Sequence, residues 1–305
     1  YQVWEGLIMA VKNNLAPTQA KPQIPKQTFT DYITQEKIKN KINDMVGGKN
    51  SQRFITAIVS AVSNNNDLAS CNFGTIIAGA LLGESLQLSP SPQLGHYYLV
   101  PYNIKKKDTQ GNDYWEKVAQ FQLGYKGYIQ LAVRSNFYRD IDVLEIKDGE
   151  YLGRDKNTGK HRFSFIADYE ERRSKDTIGY LAYFEYLNGF TKQIYWTKKE
   201  MQEHAIKYSK AYKSDKENNT SYSFWTTKFD DMAFKTMIRQ LISRWGIMSI
   251  ELQTAIERDM AVIEENENYE YVDNEEPIVP ITPATEKPVQ QQDPADNAVD
   301  QFFNQ

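Results

Sequence analysis

Two runs rich in aromatic and β-branched residues, 96–102 and 117–123, flank a polar linker and lead at once into a short basic segment, 125–136. Residues of these types favour strands. Gly111-Asn112-Asp113 supplies turn chemistry between them, so the stretch reads as one long hairpin with Lys105, Lys106 and Lys107 at its tip. A hairpin of this length commits the middle of the chain to antiparallel β structure. What lies on either side decides the fold class.

Upstream, apolar residues recur with helical spacing over 29–45, 51–63 and 73–87. Gly47-Gly48 and Asn64-Asn65-Asn66 punctuate these segments. The third is dense in small residues (Gly74, Ala78, Gly79, Ala80, Gly83), which permits close backbone approach. It reads as packed core, with an intersubunit interface as the alternative. Downstream, 141–146 and 162–166 read as strands, and 177–187 and 190–196 form a hairpin through Asn188-Gly189, a strong turn signal. Thr197 with Glu200 three residues on has the form of a capping box opening a helix. A polar loop at 214–221 precedes a long helix over 224–246 and another over 250–263. The expected fold class is α+β, with N-terminal helices, a central antiparallel β region carrying the basic hairpin, and C-terminal helices in one core, 28–263. Residues 1–27, with Pro17, Pro22 and Pro25 among polar residues, are expected as a mobile arm; Met9-Ala10-Val11-Lys12 reads as a natural start. Residues 264–305 are expected as a disordered acidic tail.

The net charge of −4 conceals a division. Residues 262–305 hold eleven acids against Lys287 alone, so 1–261 carry +6. A mildly basic body remains compatible with a polyanionic partner. The single cysteine, Cys71, excludes an intramolecular disulfide and points to a reducing compartment, the cytoplasm. No apolar run approaches the ~20 residues a spanning helix needs, so no membrane partner is expected.

Enzyme motifs are weak. GRDKNTGKH at 153–161 has five residues between its glycines and His161 after the lysine, whereas a phosphate-binding loop requires four and then Ser or Thr. It reads as a turn. Asp142, Glu145 and Lys147 carry the letters of a metal-dependent nuclease and equally those of a strand with its acids in water. His96, His161 and His204 lack the spacing of a helical zinc pair. No serine elbow is present, and Cys71-Asn72 reads as a helix start.

A binder indifferent to base sequence uses phosphate contacts and stacking. On the helix beginning at Tyr125, residues advance by 100°, placing Lys126 and Arg134 within about 80° of each other. On the long helix, Lys228, Lys235 and Arg239 fall within about 40°, a cationic stripe above an apolar base with Asp231 as partial partner. Lys207 and Lys210 add cations, and Trp115 at the hairpin tip is an aromatic with little core to fill.

The pieces CNFGTIIAGALLGESLQLSP, LGHYYLVPY, LGYKGYIQLAVRS, FWTTKFDDMAFKTMIRQLISRW and IELQTAIERD, in that order, resemble the RecT family of phage single-strand annealing recombinases over 44–260. The resemblance implies an ATP-independent protein without a covalent catalytic step. Such a protein coats single-stranded DNA, oligomerises into a ring or helical filament and anneals a complementary strand in a bacterial host's cytoplasm. It implies no required cofactor, with Mg2+ entering only with DNA, and as partners a phage exonuclease and a host single-strand-binding protein. Carried onto this chain, the resemblance makes Lys126, Arg134, Lys228, Lys235 and Arg239 the candidate phosphate contacts, with Lys105, Lys106, Lys107, Trp115, Lys207 and Lys210 beside them. A single-strand-binding accessory without annealing activity, and a metal-dependent nuclease, are the alternatives. The tail, ending with Phe302-Phe303 beside Asp296 and Asp300, reads as a solubilising end, with competition for the basic groove or docking of a replication protein as its second reading.

Overall fold

The computed structural model describes residues 27–264 and 269–271; the expected N-terminal arm up to residue 26, most of the acidic tail, and Phe302-Phe303 lie outside them. Thr28 and Asp31 form a capping box on α1 (Phe29–Ile33), followed by α2 (Glu36–Val46) and α3 (Gly48–Ser63). The periodic segment 29–45 is thus two helices, parted at Thr34-Gln35. Asn65 and Asn72 accept from backbone N–H groups to cap α4 (Asn66–Ala69) and α5 (Phe73–Ser85). Helix α5 packs as the sequence suggests: a methyl on Gly83 would strike the Tyr97 ring, and one on Gly79 would press on Leu99.

Strands β1 (Tyr97–Lys107) and β2 (Asp113–Leu123) pair in register from Tyr97 opposite Leu123 to Lys107 opposite Asp113. Helix α6 (Tyr125–Arg134) then crosses to β3 (Tyr138–Lys147). The turn motif at 153–161 joins β4 (Tyr151–Arg154) to β5 (His161–Phe163). After α7 (Tyr169–Ser174), β6 (Thr177–Tyr186) and β7 (Thr191–Thr197) form the second hairpin, Gly189 supplying the positive φ of +83°. The Thr197–Glu200 capping box opens α8 (Lys198–Tyr208). Where a polar loop was expected, α9 (Lys210–Asn218) forms instead, burying only Tyr212 and Asp215. The long helix is interrupted: α10 (Phe224–Thr227) and α11 (Phe229–Trp245) meet at Lys228, whose φ of −141° and ψ of 56° are not helical. Helix α12 (Ile250–Arg258) stops before the expected end, because Ala261–Ile263 form β8, which pairs with β2; β9 (Tyr269–Tyr271), inside the segment expected as tail, pairs with β8.

The molecule is α+β with antiparallel sheets of order β1-β2-β8-β9, β3-β6-β7 and β4-β5. One apolar core runs from Tyr97 and Phe121 on the first sheet, through α6 and α11, to Tyr180 and Phe184 on the second. A smaller core joins α1, α3 and α5 to Ala119. Among the described residues no helix is long and apolar enough to cross a membrane.

Candidate nucleic-acid interface

Strand β1 is an edge: β2 pairs with one side of it, and no described strand pairs with the other. Pro101, which cannot donate to a ladder, is tolerated in such a strand. Along this edge runs a cleft of about 780 Å³, walled by residues 64–68, residues 89–93 and Phe224 with Lys228. A narrower recess continues from it between Tyr98, Tyr125, Phe224 and Met232, with Gln122, Asp231 and Lys235. The two share Tyr98, Phe224 and Lys228.

Cations flank the recess. Lys126, exposed on the first turn of α6, lies with its Nζ 5.9 Å from the centroid of the Tyr125 ring. Lys228, exposed in the break between α10 and α11, holds its Nζ 5.9 Å from that of Phe224. Neither forms an ion pair with a described residue. Desolvation and then the Asp231 charge push the phenols of Tyr98 and Tyr125 up, so both are neutral hydroxyls at ordinary pH.

Local chemistry fixes both lysines. The N-terminus of α6 meets the backbone before β1: Gly124 N–H donates to the His96 carbonyl at 2.8 Å, and a methyl on Gly124 or Gly127 would strike the carbonyl of Gly95 or His96. The glycines of LGYKG are therefore packing residues, while Gly95 of LGH supplies a positive φ of +66°. His96 is structural too, its Nδ1 accepting from Ser89 N–H. Lys228 is positioned by Asp215, whose buried carboxylate accepts from Thr220 Oγ1, Tyr222 N–H, Ser223 N–H and Thr226 Oγ1 at 2.7–3.0 Å. That hub fastens the turn carrying α10.

The remaining candidates are placed less uniformly. Arg134 is exposed but donates to the Leu86 carbonyl and Gln87, closing the C-terminus of α5. Lys235 and Arg239 depart from the solvent-facing stripe expected of them: 6% and 9% exposed, they turn inward to Asp259, which is fully buried. Lys235 Nζ reaches Asp259 Oδ1 at 2.8 Å and Arg239 Nη1 reaches Oδ2 at 3.4 Å, while Leu123 N–H and Tyr128 Oη each donate at 2.8 Å. A helical wheel shows which residues share a face, not what covers that face. Burial pulls the Lys235 ammonium below its ordinary range, and Asp259 works against that.

At the hairpin tip Lys105 pairs with Asp113 at 2.6 Å, and Lys106 with Glu116 and Glu264 at 3.1 and 3.2 Å. Lys107 has no such partner among the described residues, and Trp115 is 70% exposed. Lys207 lies 5.0 Å from the Tyr208 ring centroid, and Lys210 opens α9. Glu145, of the nuclease reading, is engaged by Lys147 at 3.0 Å and Thr177 at 2.9 Å. Among the described residues no group of three or more His, Cys, Asp or Glu is arranged to hold a metal ion. Arg172 is tied to the buried Glu150 at 2.7 Å.

Sequence reasoning passed over Asp215, Asp259 and a second basic, aromatic surface at β7. There Lys192 and Arg244 stand 4.4 and 5.2 Å from the Trp245 ring centroid, beside a cleft of about 650 Å³ with Arg154, Lys160 and Tyr195. The dipeptide Arg244-Trp245 was the available signal.

A strand edge along a cleft, with aromatic rings and unpaired cations at one end, has the chemistry that suits an extended polyanion. Residues 52–279 match the model of the RecT family, and the chain belongs to that family. It is 33% identical to the uncharacterized protein YqaK of Bacillus subtilis (strain 168), over 94% of this chain and 93% of that protein. It is 24% identical to protein RecT of Escherichia coli (strain K12), over 83% of this chain and 86% of that protein. Membership makes it a DNA-binding protein of recombination or strand annealing.

Proposed function

We propose that the chain is an ATP-independent single-stranded DNA-binding and annealing protein of phage homologous recombination, acting as a ring or filament of identical subunits. The observation that carries this reading is the β1 cleft, where Lys126 and Lys228 flank Tyr98, Tyr125 and Phe224. The lysines hold phosphates and the rings stack on bases; neither contact depends on base identity. The unpaired edge of β1 adds backbone N–H donors along the same path. Lys107 and Trp115 at the hairpin tip extend the contact.

Strands held by their phosphates leave base edges free, and pairing supplies the drive. At ~1.4 kcal/mol per base-pair step, about ten matched steps give on the order of 14 kcal/mol, so no nucleotide hydrolysis is needed. No cofactor takes part, Mg2+ entering only as a counterion of DNA. A phage exonuclease supplies the single strand, and a host single-strand-binding protein competes for it.

The test mixes complementary labelled oligonucleotides with the protein, with and without Mg2+ and ATP. Faster duplex formation independent of ATP is expected. Protection of the strands without faster pairing would replace the reading with that of an accessory coat protein. Cleavage dependent on Mg2+ would replace it with the nuclease reading at Asp142, Glu145 and Lys147.

A further inference from the structure

A cavity of about 350 Å³ lies between α2 and α5, closed at one end by Arg258, Ile263 and Glu264. It shares no lining residue with the β1 cleft. Its walls are apolar, formed by Ile38 and Met45 from α2 and by Ile77, Ala78 and Leu81 from α5, and Met45 is 54% exposed. Its size falls within the range of sites that enclose small apolar groups. The rim is cationic. Lys41 and Arg258 have no ion-pair partner among the described residues, Arg258 lying over the Tyr269 ring, and Glu264, the one acid of the lining, shares Lys106 with Glu116. The occupant that fits is an acidic segment bearing large apolar side chains.

We propose that this groove docks the chain's own C-terminal segment, residues 293–305, with Phe302 and Phe303 in the apolar cavity and Asp296 and Asp300 against Lys41 and Arg258. Charge favours the C-terminal end of the chain over the N-terminal one, and beyond Tyr271 only Phe302 and Phe303 are aromatic. Residues 293–305 hold three acids and no base, whereas residues 1–26, also apolar in part, hold Glu5 against Lys12, Lys21 and Lys26 and would meet the rim with like charge. Position allows it. The chain leaves β9 beside β8, where Tyr269 pairs with Ile263, a residue of the cavity wall. From Tyr271 to Phe302 is 31 residues, which extended reach at most roughly 100 Å. Docking holds the tail's acids at a place apart from the β1 cleft, so the tail acts through a site of its own.

The test uses the full chain with Phe302→p-benzoylphenylalanine, irradiated without DNA, the cross-linked peptides being mapped by mass spectrometry. Cross-links within one chain to α2 and α5 are expected, and Lys41→Glu, a change at an exposed position, should lower their yield roughly two- to five-fold. A parallel Phe303→p-benzoylphenylalanine chain guards against a probe that does not fit. Cross-links elsewhere, none from either position, or a yield indifferent to Lys41→Glu would overturn the proposal; cross-linked dimers would overturn the same-chain assignment. No DNA enters the measurement, so its failure leaves the annealing reading untouched, and the reverse.

Discussion

Asp259 and its two cations show how a charged residue near a DNA cleft can belong to the core. Removing one partner of a buried pair leaves the other uncompensated, so Lys235→Met should cost about 3–5 kcal/mol in urea unfolding. Lys126→Ala and Lys228→Ala remove exposed side chains and should move stability by under about 0.5 kcal/mol. Each should instead flatten the logarithmic salt dependence of single-strand binding by about 0.7; an unchanged slope for both would reject the cleft as the phosphate path. His204, between Trp196 and Tyr208, is held down to about 4 by burial first and then by Lys207 and Arg239. Its folded value lies below the free imidazole's, so on acidification the unfolded chain takes up the proton first. Stability attributable to this site is intact above about 6.5 and falls as pH drops toward about 4, and urea midpoints across that window should flatten in His204→Phe. The Tyr97 hydroxyl is the one buried side-chain polar atom without a partner among the described residues. Tyr97→Phe should therefore raise stability by about 1 kcal/mol.

At the scale of elements, the joint between α6 and β1 is set by glycine. A Cβ at residue 127 would overlap the His96 carbonyl, backbone that cannot move without dragging β1, so Gly127→Ala should lower the thermal midpoint markedly and weaken DNA binding with it. Elements with local signatures were legible in sequence: both long hairpins, the Asn72 cap and the Thr197–Glu200 box each depend on neighbours a few residues apart. Elements defined by distant partners were not. Helix α9 has no apolar stripe, and β8 is three residues long and exists because β2 lies alongside. The break at Lys228 is hidden by apolar periodicity that continues across it. In the site, the place of Lys126 on the first turn of α6 followed from local pattern, that of Lys228 in the break between α10 and α11 did not, and the burial of Lys235 and Arg239 depends on a carboxylate 20 or more residues further on.

Across the whole molecule, the C-terminal strands close what the N-terminal half begins. β8 covers the second edge of β2, and Val262 completes a small apolar cluster with Ile104 and Val118. Ending the chain after Met260 should bare that edge, lower the thermal midpoint and give aggregation visible by light scattering, whereas ending it after Tyr271 should not. Asp259 is also separated by 136 residues from Leu123, whose N–H it accepts. At a synthesis rate of ~5–20 residues per second, on the order of ten seconds pass between the emergence of one and the other. Lys235 and Arg239 precede Asp259 by 24 and 20 residues, so for the last ~1–5 seconds of that interval α11 carries two cations with no counter-carboxylate to receive them. The helix therefore docks late, and the wall of the cleft that carries Lys228 is assembled only as translation of the core ends.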